Sequence, residues 1–124
     1  MKQPFAELLI LGKKKIEIRG WNTRFRGRFL VHASRIPDMD ACRRFGMDPY
    51  RLPRGAVIGT AVLTDVKRYA SYSEFRKDTE KHLAFRPYYR YPRPTYGFAI
   101  SDPVRFKKPV PMKGRLSFFD VNLG

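Results

Sequence analysis

Apolar positions along the chain fall into short blocks whose spacing switches between helical and alternating. Phe5, Ala6, Leu8, Leu9 and Ile10 form the first block. Pro4 stands at its entrance, where a missing N–H costs a first helical turn nothing, and Gly12 stands at its exit. The pattern predicts a short apolar helix over residues 4–11. Residues 15–19, Lys-Ile-Glu-Ile-Arg, then alternate strictly. That predicts a half-buried strand with Ile16 and Ile18 inward and Lys15, Glu17 and Arg19 outward. A second strand is expected over 28–34, and a short helix over 37–46, between Asp38 and Gly46.

Residues 55–69 are rich in β-branched side chains and carry Gly59, which lets a strand bend. The stretch 71–83 predicts a helix capped by Ser71 or Ser73. "AFRPYYRYPRP" (84–94) holds too much proline for a central strand and too many aromatics for a plain linker, so an ordered loop is expected. Residues 95–101, 104–108 and 115–121 supply the last strands, separated by Asp102-Pro103 and by a turn at 109–114. Strands outnumber helices, and no βαβ unit repeats. The fold class is therefore α+β. One domain is expected over residues 1–124, a small mixed β-barrel of about five or six strands with short peripheral helices.

Charge narrows the partners. Lys and Arg total 26 against 11 Asp and Glu, a formal net charge of +15 on 124 residues. A field of that sign favours an anionic partner, with nucleic acid foremost. Cys42 is the only cysteine, so an intrachain disulfide and a multi-thiolate metal site are both excluded, and a reducing compartment is expected. His32 and His82 are far apart and have no cysteine beside them, which argues against zinc. The apolar start is interrupted by Glu7 and followed by three lysines, unlike a secretion signal, and no later run approaches a membrane span. The expectation is a cytoplasmic monomer without membrane attachment, metal or cofactor.

The densest chemistry lies at residues 12–28, where seven cationic side chains surround one carboxylate, Glu17. Glu17 and Arg19 are two apart on one strand, so their Cα atoms are expected roughly 7 Å apart and their side chains can meet or share a ligand. Lys14 has the wrong parity for that face and can join only from the turn before the strand. A carboxylate among cations stays ionised and acts as an acceptor. It makes a poor general base, yet it can hold Lys14 and Arg19 in one geometry and accept from a base amino group or a ribose hydroxyl. The plain alternative is a solvated ladder of ion pairs, contributing about 1 kcal/mol or less.

Trp21, the only tryptophan, suits either core packing or base stacking. Arg24, Arg26 and Arg28, spaced two apart, suit either a backbone-tracking edge or a solvated face. In the loop, Arg86, Arg90 and Arg93 are interleaved with Phe85, Tyr88, Tyr89 and Tyr91. That composition fits single-stranded bases and phosphates, or a cover of tyrosines over the barrel.

Gly12, Lys14, Glu17 and Arg19 form a G-x-K-x-x-E-x-R pattern that continues into "GWNTRFRG". With "QPFAELL" before it, "LPRGAVIGTAVLTDV" in the middle and "PMKGRLSFF" near the end, the chain resembles the ASCH domain, in particular that of a transcriptional coactivator. The resemblance implies a PUA-like pseudo-barrel with a cleft beside it into which the motif residues point. It adds Thr23 and Arg26, which match the family pattern, to the candidate site. It also implies RNA or single-stranded DNA as partner, within a larger transcription- or translation-related complex. Some members of the family are ribonucleases or small amidohydrolases acting on acetylated cytidine. The latter carry threonine at the position of Glu17, so the hydroxyl proposed as their nucleophile is missing here. The reading is a nucleic-acid-binding module. The alternative is a metal-independent ribonuclease, in which Lys14 together with a tyrosine supplies the base for the 2′-hydroxyl and the cation for the phosphate, or a nucleoside-acting hydrolase in the same cleft.

Overall fold

The computed structural model describes residues 1–112. Among them, β1 (Ile16–Arg19), β2 (Gly27–Ala33), β3 (Ala56–Arg68) and β4 (Tyr96–Pro111) form one four-stranded sheet in the order β1-β4-β3-β2. Each neighbouring pair is antiparallel. Four short helices lie around it: α1 (Phe5–Ile10), α2 (Met39–Arg44), α3 (Tyr72–Lys77) and α4 (Thr79–His82). This is the expected small α+β architecture with peripheral helices. No ladder joins β1 to β2 among the described residues, an opening that a pseudo-barrel accommodates. The strand expected at 115–121 lies outside the described residues.

Two boundaries differ from expectation. The strands expected at 95–101 and 104–108 run on as one, β4. Asp102 takes a left-handed conformation with φ 49°, and the register against β3 jumps from Thr60↔Val104 to Val62↔Ser101. Asp102 and Pro103, which has no N–H to donate, fall in a bulge, and the ladder resumes beyond it. The helix expected over 71–83 starts as foreseen, with Ser71 Oγ accepting from Glu74 N at 3.2 Å. It is interrupted at Asp78, whose carboxylate turns inward to accept from Tyr69 Oη at 2.7 Å and to pair with Lys67 Nζ at 2.5 Å.

The core follows from the alternation. β2 buries Phe29, Val31 and Ala33. These pack with Ala61 and Leu63 of β3, Phe98 and Ile100 of β4, and Ala6, Leu9 and Ile10 of α1. A helix that is apolar all round must be buried all round, and α1 is, except at Glu7, whose half-buried carboxylate pairs with Arg105. Gly59 lies where β3, β4 and α1 meet. A Cβ there would sit 2.1 Å from the Val104 carbonyl oxygen and 2.9 Å from Ile10, so close approach demands glycine. The other face of α1, Phe5 and Leu8, packs on Ala41 of α2 and on Phe45, Phe85 and Tyr88. This seam fixes the 84–88 segment beside β1.

Candidate nucleic-acid interface

Alternation places Glu17 on the outward face of β1, and tertiary structure covers that face. Helix α4 packs against β1, and Lys15 N donates to the Lys81 carbonyl at 2.7 Å. Glu17 is left 7% exposed and Lys14 3%, while the Arg19 side chain keeps 28% of its surface open, so the ladder of ion pairs is closed to solvent at one end and meets it at the other. Lys14 enters from the turn before β1, as its parity required. Its ammonium donates to the His82 carbonyl, lies 3.6 Å from Glu17 Oε1 and sits 5.0 Å from the centre of the Phe5 ring. Arg19 Nη2 lies 2.9 Å from Glu17 Oε2. Each carboxylate oxygen therefore faces one cation.

The His82 carbonyl is available because α4 ends there: Leu83 adopts φ 56°, and the last carbonyls of a helix have no partner within it. The buried His82 ring contacts the Phe75 carbonyl through Nε2 at 2.7 Å, and its Nδ1 accepts from Ala84 N at 2.9 Å. Those partners select the neutral ring protonated on Nε2. Burial, opposed by the Phe75 hydrogen bond, lowers its pKa.

Burial also pulls the Lys14 pKa down, with Glu17 opposing. For Glu17, burial pushes up, but the attraction of Arg19 and then Lys14 outweighs it, leaving the carboxyl below its ordinary value. Glu17 is thus an ionised acceptor at neutral pH.

A cavity of about 210 Å³ opens beside this cluster, lined by Met1, Lys2, Phe5, Lys14, Glu17, Ile18, Arg19, Ala84 and Tyr88. Lys2, Lys14 and Arg19 face one carboxylate there, an excess of two positive charges. At roughly 30 Å³ per water, the space suits a phosphate or one small ring rather than a run of nucleotides. Tyr88 meets Phe5 edge to face at 5.5 Å. Its hydroxyl donates to Asp38, which also caps α2 by accepting from Ala41 N at 3.0 Å. Burial, then Asp38, pushes the Tyr88 pKa up.

Lys14, Glu17, Arg19 and Tyr88 are therefore brought together, and the other expected residues lie elsewhere. Thr23 Oγ1 accepts from Phe25 N at 3.1 Å. Arg26 Nη1 donates to the Thr23 and Phe25 carbonyls at 3.0 and 2.7 Å, and Arg26 Nη2 lies 3.8 Å from Asp65. Both side chains clasp their own loop. Arg24 is exposed on it. Trp21 is 42% exposed and meets Phe98 edge to face at 5.2 Å, so it is partly packed and partly open. Arg28 Nη1 donates to Thr60 Oγ1 at 2.8 Å and to the Asp102 carbonyl at 3.2 Å. Arg86 lies 5.0 Å from the Tyr72 ring centre. Tyr89 packs on Tyr72 and Phe75 at 5.7 and 5.5 Å. Arg90 is exposed, with its backbone N–H bound to Thr95 Oγ1 at 2.8 Å.

Sequence reasoning missed Lys2 and Phe5 as cavity walls, Asp38 as the partner of Tyr88, and the His82 carbonyl as the anchor of Lys14. Phe5 and Asp38 had local explanations, as core and cap. A backbone carbonyl carries no sequence signature at all. Among the described residues no helix is long and apolar enough to cross a membrane.

The architecture has known counterparts. The crystal structure of ASCH from Zymomonas mobilis superimposes with a TM-score of 0.68 at 18% identity, over 90% of this chain and 70% of that one. Crystal structures of two single-site mutants of that protein match over the same 90% of this chain, with 72% and 70% of theirs, at 18% identity and TM-scores of 0.68 and 0.66. No curated protein matches the sequence. Identity at this level speaks for the fold alone. The family's sequence pattern speaks for more, because it matches residues 1–108, from α1 and the Lys14–Glu17–Arg19 cluster well into β4: this chain belongs to the ASCH domain family.

Proposed function

We propose that this domain binds single-stranded nucleic acid, RNA in preference to DNA, in the cavity beside Lys14, Glu17 and Arg19. The observation that carries this reading is an ionised Glu17 held between two cations in the wall of a cavity that keeps two positive charges in excess. The excess attracts a phosphate. A carboxylate offers about four lone-pair positions, so Glu17 can still accept from a donor on the same ligand, a base amino group or a ribose hydroxyl. The 2′-hydroxyl is a donor that DNA lacks. The net charge of +15 adds a sequence-independent attraction for the rest of the strand.

A labelled single-stranded RNA followed by fluorescence anisotropy tests this. Binding should be micromolar or weaker at physiological salt, with a slope of log affinity against log salt near −3.5 for about five neutralised phosphates at ~0.7 each. Arg19→Gln should weaken binding about tenfold, the value of one charge-assisted hydrogen bond. A flat salt titration, or an Arg19→Gln protein that binds like the parent, overturns the reading. A second reading, phosphodiester cleavage with Lys14 as base, draws support from the burial that lowers the Lys14 pKa. Against it, the Tyr88 hydroxyl is committed to Asp38. Shorter products from end-labelled RNA, abolished in Glu17→Gln with base preference intact, would favour cleavage.

A further inference from the structure

The segment that closes the charged cavity also lines a second recess. Ala84 and Tyr88 face the first cavity. Arg86, Tyr89 and Tyr91 face the second, which measures about 440 Å³ and is completed by Ala70, Ser71 and Tyr72. The 3-10 turn at Arg86–Tyr88 makes this division. Positions three apart eclipse in such a turn, so Arg86 and Tyr89 project together while Tyr88 projects away.

The wall of the recess is aromatic and firmly backed. Tyr72 stacks on the buried Phe75 at 6.2 Å with ring planes 29° apart, Tyr89 packs on both, and the Arg86 guanidinium lies 5.0 Å from the Tyr72 ring centre. Tyr91, 78% exposed, offers a further ring at the rim. Arg86 is the one charged lining residue, and the Glu74 carboxylate at the edge accepts from Ala70 N at 2.9 Å, so the wall itself favours a group attached to an anion over a cation. Arg90 is placed between residues of the two sites along the chain rather than in either lining. It stands in sequence between Tyr89 and Tyr91, and its guanidinium lies against Gly20, the residue after Arg19. A Cβ on Gly20 would fall 2.6 Å from Arg90 Nε, so a larger residue there would push the guanidinium aside.

We infer that this recess is a second nucleobase subsite for the same single strand, with Arg90 holding phosphate between it and the charged cavity. The inference rests on the nucleic-acid reading above and extends it. Base–aromatic stacking tolerates any base, so this subsite adds affinity and length dependence, while the cavity at Glu17 discriminates.

The test compares a ribonucleoside monophosphate with a single-stranded RNA carrying 2-aminopurine, a base whose fluorescence is quenched by stacking. Tyr91→Ala should weaken RNA binding about tenfold and relieve the quench, and Tyr91→Phe should restore both. Arg90→Gln should lower the salt slope by ~0.7. The monophosphate, held in the first cavity, should bind all three variants like the parent. Tyr91 and Arg90 are exposed, so thermal midpoints should not move. A DNA strand of the same sequence should show the same Tyr91 effect, since stacking does not read the sugar. RNA affinity and quenching unchanged in Tyr91→Ala overturn the subsite and leave the charged cavity standing. An effect of Tyr91→Ala with none from Arg19→Gln keeps the subsite and removes the cavity. A parent protein that binds neither ligand overturns both.

Discussion

Residues 12–19 and 20–28 are adjoining halves of one basic stretch, and the fold treats the ion pair that each contributes oppositely. In the first half, the Lys14 and Glu17 side chains are 2% and 9% exposed and 3.6 Å apart. In the second, Arg26 and its partner Asp65 are 41% and 77% exposed and 3.8 Å apart. Both join opposite unit charges at a similar distance, and solvent is the chief difference between them. Opposite unit charges 4 Å apart attract by about 4 kcal/mol at an effective dielectric near 20 and about 1 kcal/mol in water. Burial also strips water from each ion, so removing one member strands another. The first cluster is therefore a committed assembly, and the second a clasp for which water competes. Similar pairs of charges thus do different work according to what lies over them.

The largest expected effect breaks the buried half. Glu17→Ala should lower stability by about 3–5 kcal/mol, as for a buried pair losing one partner, read from urea midpoints. Adding Lys14→Met to it should cost less than the sum of the two single changes, because each removes the other's reason for being charged. A Glu17→Ala protein with the parent's midpoint would sink the comparison. Its pH dependence has a definite sign. The folded Glu17 pKa is lowered from 4.5, so its contribution is present above that value and is lost as pH falls through the folded one.

A smaller effect should come from His82, whose carbonyl anchors Lys14. Its folded pKa is lowered from 6.5, chiefly by burial. The unfolded chain therefore takes up a proton first, and stability falls as pH drops below 6.5, by at most about 1.4 kcal/mol per pH unit for one proton. His82→Gln should flatten the decline in thermal midpoint between pH 7 and 5.5. His32, also lowered by burial, leaves a residual slope. A slope unchanged in His82→Gln would show that the ring already titrates freely. The smallest effect sharpens the exposed half. Arg26→Ala should cost under about 1 kcal/mol and become undetectable in high salt, whereas a loss of several kcal/mol would place the loop among the buried clusters.

What was legible in the sequence was local. The alternation of Phe29, Val31 and Ala33 gave the inward face of β2, Ser71 gave the start of α3, and parity alone required Lys14 to enter from the turn before β1. The misreadings were local signals overruled at longer range. Asp102-Pro103 looks like a strand end, but β3 continues past it and holds a bulge in its ladder. Asp78 looks like an interior helical residue, but Tyr69 and Lys67 draw its carboxylate away.

By itself, then, the sequence determined the family, the strands and helices of short range, the basic field, and the grouping of Lys14, Glu17 and Arg19, because each depends on spacing or composition along the chain. The tertiary structure decided that Lys14 and Glu17 are buried rather than washed by solvent, with Arg19 left partly open. It also decided that Tyr88 and Asp38 meet across 50 positions, that the His82 carbonyl lies 68 positions from the lysine it binds, and that the aromatic loop faces two recesses. Contacts at such separation arise only when helix α4 and the 84–88 segment fold over β1. Alternation in a strand names two faces, but which of them stays wet depends on what the rest of the chain brings to lie upon it.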